Sequence, residues 1–169
     1  MQTNNQNQLF QELIQQHKSI LIKVARMYCQ NEIDRQDLIQ EIMIQIWQSF
    51  PKYNEKFKIS TWLYRISINV AISFYRKNAV RKNNSIPLGE QVLQIKEDEK
   101  SDKEHQLNLL DLFISELKEF EKALMLLYLE DKSHIEIADI LGISVGNVGT
   151  KIGRIKDQLK KRFSQFKEN

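Results

Sequence analysis

Gly142 and the residues on either side of it limit what this chain can become. They lie in SHIEIADILGISVGNVGTKIGRIK, Ser133 to Lys156, which reads as two short helices joined by a tight turn. Ser133 can cap the first helix, and Glu136 three residues later completes a capping box. Ala138 is small where two helices must cross closely. Gly142 supplies the positive φ that such a turn requires. Val148 is apolar where the second helix packs back on the first, and Ile137, Leu141, Ile143 and Ile152 complete the same small core. Cap, turn and small residue together describe a helix-turn-helix. Ser144 caps the second helix, which carries Asn147, Thr150, Lys151 and Arg154, side chains able to reach base edges and phosphates. An ordinary helical hairpin with a solvated basic face is the other reading of this stretch.

Charge distribution favours a nucleic-acid partner. From Ser144 to Asn169 seven Lys/Arg stand against Asp157 and Glu168, a net +5 that leaves the rest of the chain at −2 within an overall +3. A basic end on a near-neutral body suits DNA better than a membrane. No run of 18 apolar residues is present, and the N-terminal MQTNNQNQ lacks the pattern of a signal peptide. Cys29, the single cysteine, sits in an apolar run and fits a reducing cytosol.

Five glycines and two prolines in 169 residues favour helix over sheet. Leu9 to Gln30 has helical periodicity, and residues 1–8 form a Gln/Asn-rich tail expected to be disordered. A second helix runs from about Asp34 to Phe50, with Leu38, Ile39, Ile42, Met43, Ile46 and Phe50 on its apolar face and Asp37, Gln40, Glu41, Ile44 and Gln48 opposite. Pro51 ends it. A third helix begins near Ser60 and reaches about Asn78, with Ile59, Leu63, Ile66, Val70 and Phe74 as its core stripe. Periodicity fails from about Arg81 to His105, where Pro87, Gly89 and an alternating charge run predict a flexible linker. Helices resume at Gln106–Lys118 and Phe120–Glu130, and the last helix runs on to about Phe166. The expected fold class is therefore all-α, in two small helical domains.

No enzyme site stands out. His17, His105 and His134 lie far apart without metal-ligand spacing, and there is no Gly-rich phosphate loop or nucleophile motif. No cofactor and no metal are expected. Asp37 and Glu41 are one helical turn apart; a face for a basic partner is a better use of them than catalysis without further ligands, and a simply solvated face is the other reading. The segment after Pro51 carries a different chemistry. Tyr53, Lys56, Phe57, Lys58, Arg65, Asn69 and Arg76 interleave rings with cations. Single-stranded nucleic acid needs this mixture, because bases stack on rings for about 1–3 kcal/mol each while cations follow the phosphates.

Two separated segments resemble one family. DLIQEIMIQIWQSFPKYNEKFKISTWLYRISINVAISFYRK resembles region 2, and LMLLYLEDKSHIEIADILGISVGNVGTKIGRIKDQLKKRF region 4, of bacterial RNA polymerase sigma factors of the extracytoplasmic-function (ECF) type. The resemblance implies a region 2-like domain over 9–80, a linker over 81–105 and a region 4-like domain over 106–169 containing the helix-turn-helix of 133–156. It implies a cytoplasmic, non-enzymatic promoter-specificity subunit. Asp37, Gln40 and Glu41 would dock on the β′ coiled coil of polymerase core. Tyr53 to Ile59 would capture a flipped base of the melted −10 element, with Asn69 lining the pocket and Arg65 and Arg76 holding phosphates. Ser144, Asn147, Thr150, Lys151 and Arg154 would face the −35 duplex. An anti-sigma factor is a further implied partner. The chain departs from the family at Gly149, where Arg or Lys is common, and at Gly153, where a bulky residue is common. The rival reading is a stand-alone helix-turn-helix regulator with an N-terminal dimerisation or effector domain.

Overall fold

The computed structural model describes residues 2–84 and 102–168, and among these every regular element is helical. Three helices make the N-terminal half: α1 (Gln2–Tyr28), α2 (Glu32–Ser49) and α3 (Ile59–Asn84), with a 3₁₀ turn at Phe50–Lys52 after α2. Four make the C-terminal half: α4 (Asp102–Ser115), α5 (Glu119–Leu129), α6 (His134–Leu141) and α7 (Val145–Glu168).

The residues at each junction explain where the helices stop and turn. Asn31 caps α2, its Oδ1 accepting from the Asp34 amide at 2.8 Å. Arg35 then ties the corner by donating to the carbonyls of Cys29 and Gln30, both at 2.9 Å. Pro51 cannot extend α2 and instead enters the 3₁₀ turn. Asp131 closes α5 in the left-handed region at φ 55°, and the Lys132 amide returns to the Leu127 carbonyl at 3.1 Å. An aspartate tolerates that conformation better than most side chains.

α1, α2 and α3 pack pairwise around Leu21, Val24, Leu38, Ile42, Ile46, Leu63 and Ile68, all buried. Phe10 meets Trp47 edge-on, with ring centroids 5.0 Å apart. The second core joins α4 through α7 around Phe113, Leu124, Leu127, Ile137, Val148 and Ile152. The two cores touch, because α1 and α3 lie against α5 and α3 also lies against α6.

Several boundaries differ from the sequence reading. The Gln/Asn-rich run of residues 1–8, expected from its composition to be disordered, is helical from Gln2 and continuous with α1. It contains no helix breaker, and Gln8 donates to Glu12 one turn on at 3.2 Å. α3 continues to Asn84 and α4 begins at Asp102, so both reach into the stretch assigned to a linker; Pro87 and Gly89 lie outside the described residues. The core stripe of α3 is also broader than expected. Leu63 and Phe74 are buried as read, but Tyr64, Ser67, Ile68 and Ala71 are buried as well, while Ile59, Ile66 and Val70 are half-buried. α3 is covered from more than one side, so a single amphipathic stripe cannot describe it.

Candidate nucleic-acid interface

The helix-turn-helix forms as its residues dictate. Ser133 Oγ accepts from the Glu136 amide at 3.1 Å and Glu136 Oε2 accepts from the Ser133 amide at 2.9 Å, the reciprocal pair of a capping box. The bond from the Ser133 amide, foremost, holds the Glu136 carboxyl below its ordinary value. Gly142 has φ 69°, and its amide reaches the Ala138 carbonyl at 2.9 Å. Ser144 Oγ accepts from the Asn147 amide at 3.2 Å and starts α7.

Along α7, Val148, Ile152, Ile155 and Leu159 are buried. Asn147, Thr150 and Arg154 are exposed on the other side. Their availability differs. Thr150 Oγ1 donates back to the Gly146 carbonyl at 3.1 Å, and Ser144 Oγ is committed to its cap. Lys151 is half-buried, its ammonium 5.9 Å from the Phe120 ring centroid, so its stem lies toward α5. Asn147 and Arg154 are thus the side chains most open to a duplex. A Cβ at Gly149 would sit 3.5 Å from His134 Cε1, so the bare backbone at this position is where the His134 ring packs, whereas Gly153 faces open space.

In the N-terminal half the aromatic-basic residues gather at the head of α3. Tyr53 packs on Trp62, centroids 5.0 Å apart, and its hydroxyl donates to the Phe57 carbonyl at 2.8 Å. Glu55 turns the loop at φ 58°. The Arg65 guanidinium lies 5.0 Å from the Phe57 centroid and the Lys56 ammonium 5.8 Å. Tyr53, Phe57, Trp62 and Arg65 therefore form one half-exposed cluster of rings and cations, with Lys58 and Asn69 exposed nearby in sequence and Ile59 half-buried as the first residue of α3. Desolvation is partial here, and a ring with a fixed cation is ready to stack on a base.

Arg76 does not join this cluster. It lies eleven residues beyond Arg65, about 16 Å further along the helix axis, and its Nε donates to Glu119 Oε1 on α5 at 2.9 Å. That contact belongs to a polar seam that the sequence did not reveal. The Tyr28 hydroxyl donates to the Glu119 carbonyl at 2.6 Å, and Lys23 pairs with Glu130. Lys122 is 4% exposed with its ammonium 4.6 Å from the Tyr75 centroid, and Lys132 lies 5.5 Å from the Tyr64 centroid. Burial pushes the Lys122 ammonium below its ordinary value. The Glu119 carboxyl is also held low, by its backbone hydrogen bond and by Arg76. Nothing in the local pattern of α5 marks Glu119 or Lys122 as partners of Tyr28 and Tyr75.

On α2, Asp37, Gln40 and Glu41 are exposed together, at three- and four-residue steps that place them on one face. Ile44 continues that face one turn on and is 57% exposed. Among the described residues no group of three His, Cys, Asp or Glu side chains could hold a metal ion, and no helix is long and apolar enough to cross a membrane.

Comparison with known proteins places both halves. The family model for sigma-70 region 2 matches residues 13–81, and that for sigma-70 region 4 matches residues 107–159. The chain is 25% identical over 165 residues to the ECF RNA polymerase sigma factor SigW of Bacillus subtilis, covering 91% of this chain and 88% of that protein. It is 28% identical over 142 residues to the RNA polymerase sigma factor SigV of Bacillus subtilis, covering 83% of this chain and 82% of that one. Its fold resembles that of CnrH, solved in complex with the cytosolic domain of CnrY, with a TM-score of 0.67 at 20% identity over 94% of this chain and 90% of the other. It also resembles the sigma factor RpoE of Bartonella quintana, solved with the anti-sigma factor NepR, with a TM-score of 0.67 at 16% identity over 92% and 96%.

Proposed function

The chain belongs to the sigma-70 family, among the ECF sigma factors, as a promoter-recognition subunit of RNA polymerase, and we propose that its two helical units divide that task between a melted strand and a duplex. α2 docks on polymerase core through Asp37, Gln40 and Glu41, with Ile44 as the apolar residue beside them. A charged face around one exposed aliphatic suits a basic coiled coil, since the aliphatic contributes buried area and the carboxylates orient the approach. The head of α3 captures the −10 element. A base leaving the stack is received against Tyr53, Phe57 and Trp62, Asn69 reads its polar edge, and Lys56, Lys58, Arg65 and Arg76 hold the backbone. Flipping costs a few kcal/mol, which ring stacking and phosphate contacts offset.

The start of α7 enters the major groove of the −35 element. Asn147 and Arg154 are the side chains best placed to reach base edges or phosphates, and Ser144, Thr150 and Lys151 support them. The chain itself performs no chemistry; polymerase core and promoter DNA are its partners. A protein inhibitor is a further partner, by analogy with CnrH bound to the cytosolic domain of CnrY and RpoE bound to NepR.

The observation that carries this reading is the ring-and-cation cluster at the head of α3. A stand-alone duplex-binding regulator would need the helix-turn-helix and would have no use for Phe57 held beneath Arg65. The test is reconstitution: the chain is added to bacterial core polymerase with a promoter library, and specific transcripts are sequenced. Asp37→Lys with Glu41→Lys is expected to abolish co-elution with core while leaving the circular dichroism of the chain unchanged. Specific transcripts that persist without the chain, or tight duplex binding by the chain alone, would defeat the assignment.

A further inference from the structure

The start of α7 presents few side chains to a duplex. Val148, Ile152, Ile155 and Leu159 turn inward, and the exposed Gly146 and Gly153 offer backbone alone. Ser144 and Thr150 commit their hydroxyls to the helix itself, and Lys151 lies toward Phe120. Gly149 is a third bare position, on the flank of α7 that meets α6, and there the space is filled. The His134 ring of α6 stands against it, with Cε1 and Nδ1 at 3.5 and 3.6 Å from where a Cβ would begin. We propose that His134 is a contact residue of the −35 interface: its imidazole takes the place of the side chain that Gly149 lacks and offers the duplex a hydrogen-bond donor from α6. The inference rests on the assignment of α7 to the −35 duplex.

The ring is placed differently from a packed core histidine. His134 is exposed, as the first residue of α6, so it rests on α7 from the solvent side. Only Cε1 and Nδ1 come within 4 Å of the Cβ position, which leaves Nε2 further from α7. Glu136, the acid in the first turn of α6, is turned back onto the Ser133 amide at 2.9 Å. Residues two apart on a helix do not face each other, so this carboxylate does not compete for the ring. A neutral imidazole donates from one nitrogen and an imidazolium from both. The acceptors a duplex offers are phosphate oxygens, purine N7 and guanine O6. In a helix-turn-helix the second helix lies in the groove while the first crosses the backbone, and a ring at their junction meets the edge between the two.

Gly149 is what admits this arrangement. A Cβ alone would be in ordinary contact with the ring, but a longer side chain would have to take the volume the ring fills. One reading position is thus shared by two helices, with the backbone from α7 and the side chain from α6. Its location matters along the groove as well. Asn147 and Arg154 lie about 10 Å apart along the axis of α7, a span of about three base pairs at 3.4 Å each. His134 supplies a donor at the level of Gly149, between them.

The experiment uses holoenzyme reconstituted with the full chain, on a promoter recovered with it. His134→Ala, His134→Phe, His134→Lys and the double variant His134→Ala with Gly149→Arg are compared by the holoenzyme concentration that half-saturates the promoter. Circular dichroism of each chain reports the fold. The Phe variant keeps a ring against Gly149 without a donor, and the Lys variant keeps a donor without a ring. His134→Ala and His134→Phe are each expected to weaken promoter binding about three- to tenfold, with His134→Lys within about twofold of wild type. The double variant, which returns a donor from α7, is expected to recover most of the loss. Single base-pair changes across the −35 element then identify the acceptor. In His134→Ala, relaxed preference at one base pair marks a purine edge, and a uniform loss with a salt slope lower by about 1 marks a phosphate; both support the contact. Full binding by His134→Phe would reduce the ring to packing, and full binding by His134→Ala would remove it from the interface; either overturns the proposal. Failure of the underlying assignment gives a separate signal: scrambling the −35 element would then leave binding by the wild-type holoenzyme unchanged.

Discussion

Gly142 and Gly153 are chemically identical and structurally opposite. At Gly142 the backbone is left-handed, and any side chain there is strained; at Gly153 the helix is regular and the space around it is empty. Gly142→Ala is therefore expected to cost about 1 kcal/mol, and Gly153→Ala to add up to about 1 kcal/mol through helix propensity and a less free unfolded chain. Urea denaturation of the two variants should shift the midpoint in opposite directions. Ser67 presents a third case. Its hydroxyl is fully buried on α3 with no hydrogen-bond partner. Ser67→Ala removes a desolvated polar group and is expected to stabilise by about 1 kcal/mol, raising Tm by about 2–4 °C. A lower Tm would mean that the hydroxyl has a bonding role.

Elements differ in how openly their sequences declare them. The α6–turn–α7 motif was legible almost to the residue, because each local requirement names its own residue type: a hydroxyl cap, an acid three residues on, a glycine at the turn. α3 was legible as a helix but not as a surface. Tyr64, Ser67 and Ile68 sit on sides that a single stripe leaves to solvent, and only packing by α1, α2, α5 and α6 buries or half-buries so much of its circumference. The ring-and-cation cluster was legible as composition. Its geometry depends on the Tyr53 hydroxyl bond across the loop and on the left-handed Glu55, neither of which has a pattern. Tyr53→Phe keeps the ring on Trp62 and removes the bond to the Phe57 carbonyl. It is expected to leave the unfolding free energy within about 1 kcal/mol of wild type while weakening capture of the −10 strand several-fold, as measured by permanganate reactivity of the melted promoter. Equal reactivity in the variant would show that the loop needs no such brace.

For the whole molecule, the seam makes alkaline behaviour informative. Burial above all, with the charge of Glu130, pushes the Tyr64 hydroxyl up to about 12 from an ordinary 10, and burial with Glu119 nearby pushes Tyr28 higher still. A group whose folded value is raised stabilises the protein fully below its unfolded value and loses that contribution as pH climbs through the folded one. Stability is thus expected to hold to about pH 10 and to fall between about 10 and 12. Tyr28 and Tyr64 should ionise late when followed by tyrosinate absorbance, and their titration should coincide with unfolding. Ionisation of Tyr28 and Tyr64 near pH 10 would place both in water. No local pattern could have disclosed this, because the partners lie 91 residues apart for Tyr28 and Glu119 and 107 apart for Lys23 and Glu130.

Matched residues on either side of one boundary also bear on how such chains can be recombined. Region 2 and region 4 look like interchangeable cassettes, and hybrid factors built from two relatives would be designed as though they were. Here α3 serves two surfaces, its head carrying the ring-and-cation cluster proposed for the −10 strand and its flank packing against α5 and α6. A hybrid that imported a foreign C-terminal cassette would keep its −10 preference and lose the counterparts of Arg76, Tyr75, Tyr64 and Lys23. Orthogonal factors assembled in this way should be less stable unless Glu119, Lys122, Glu130 and Lys132 are carried over with the N-terminal half they pair with.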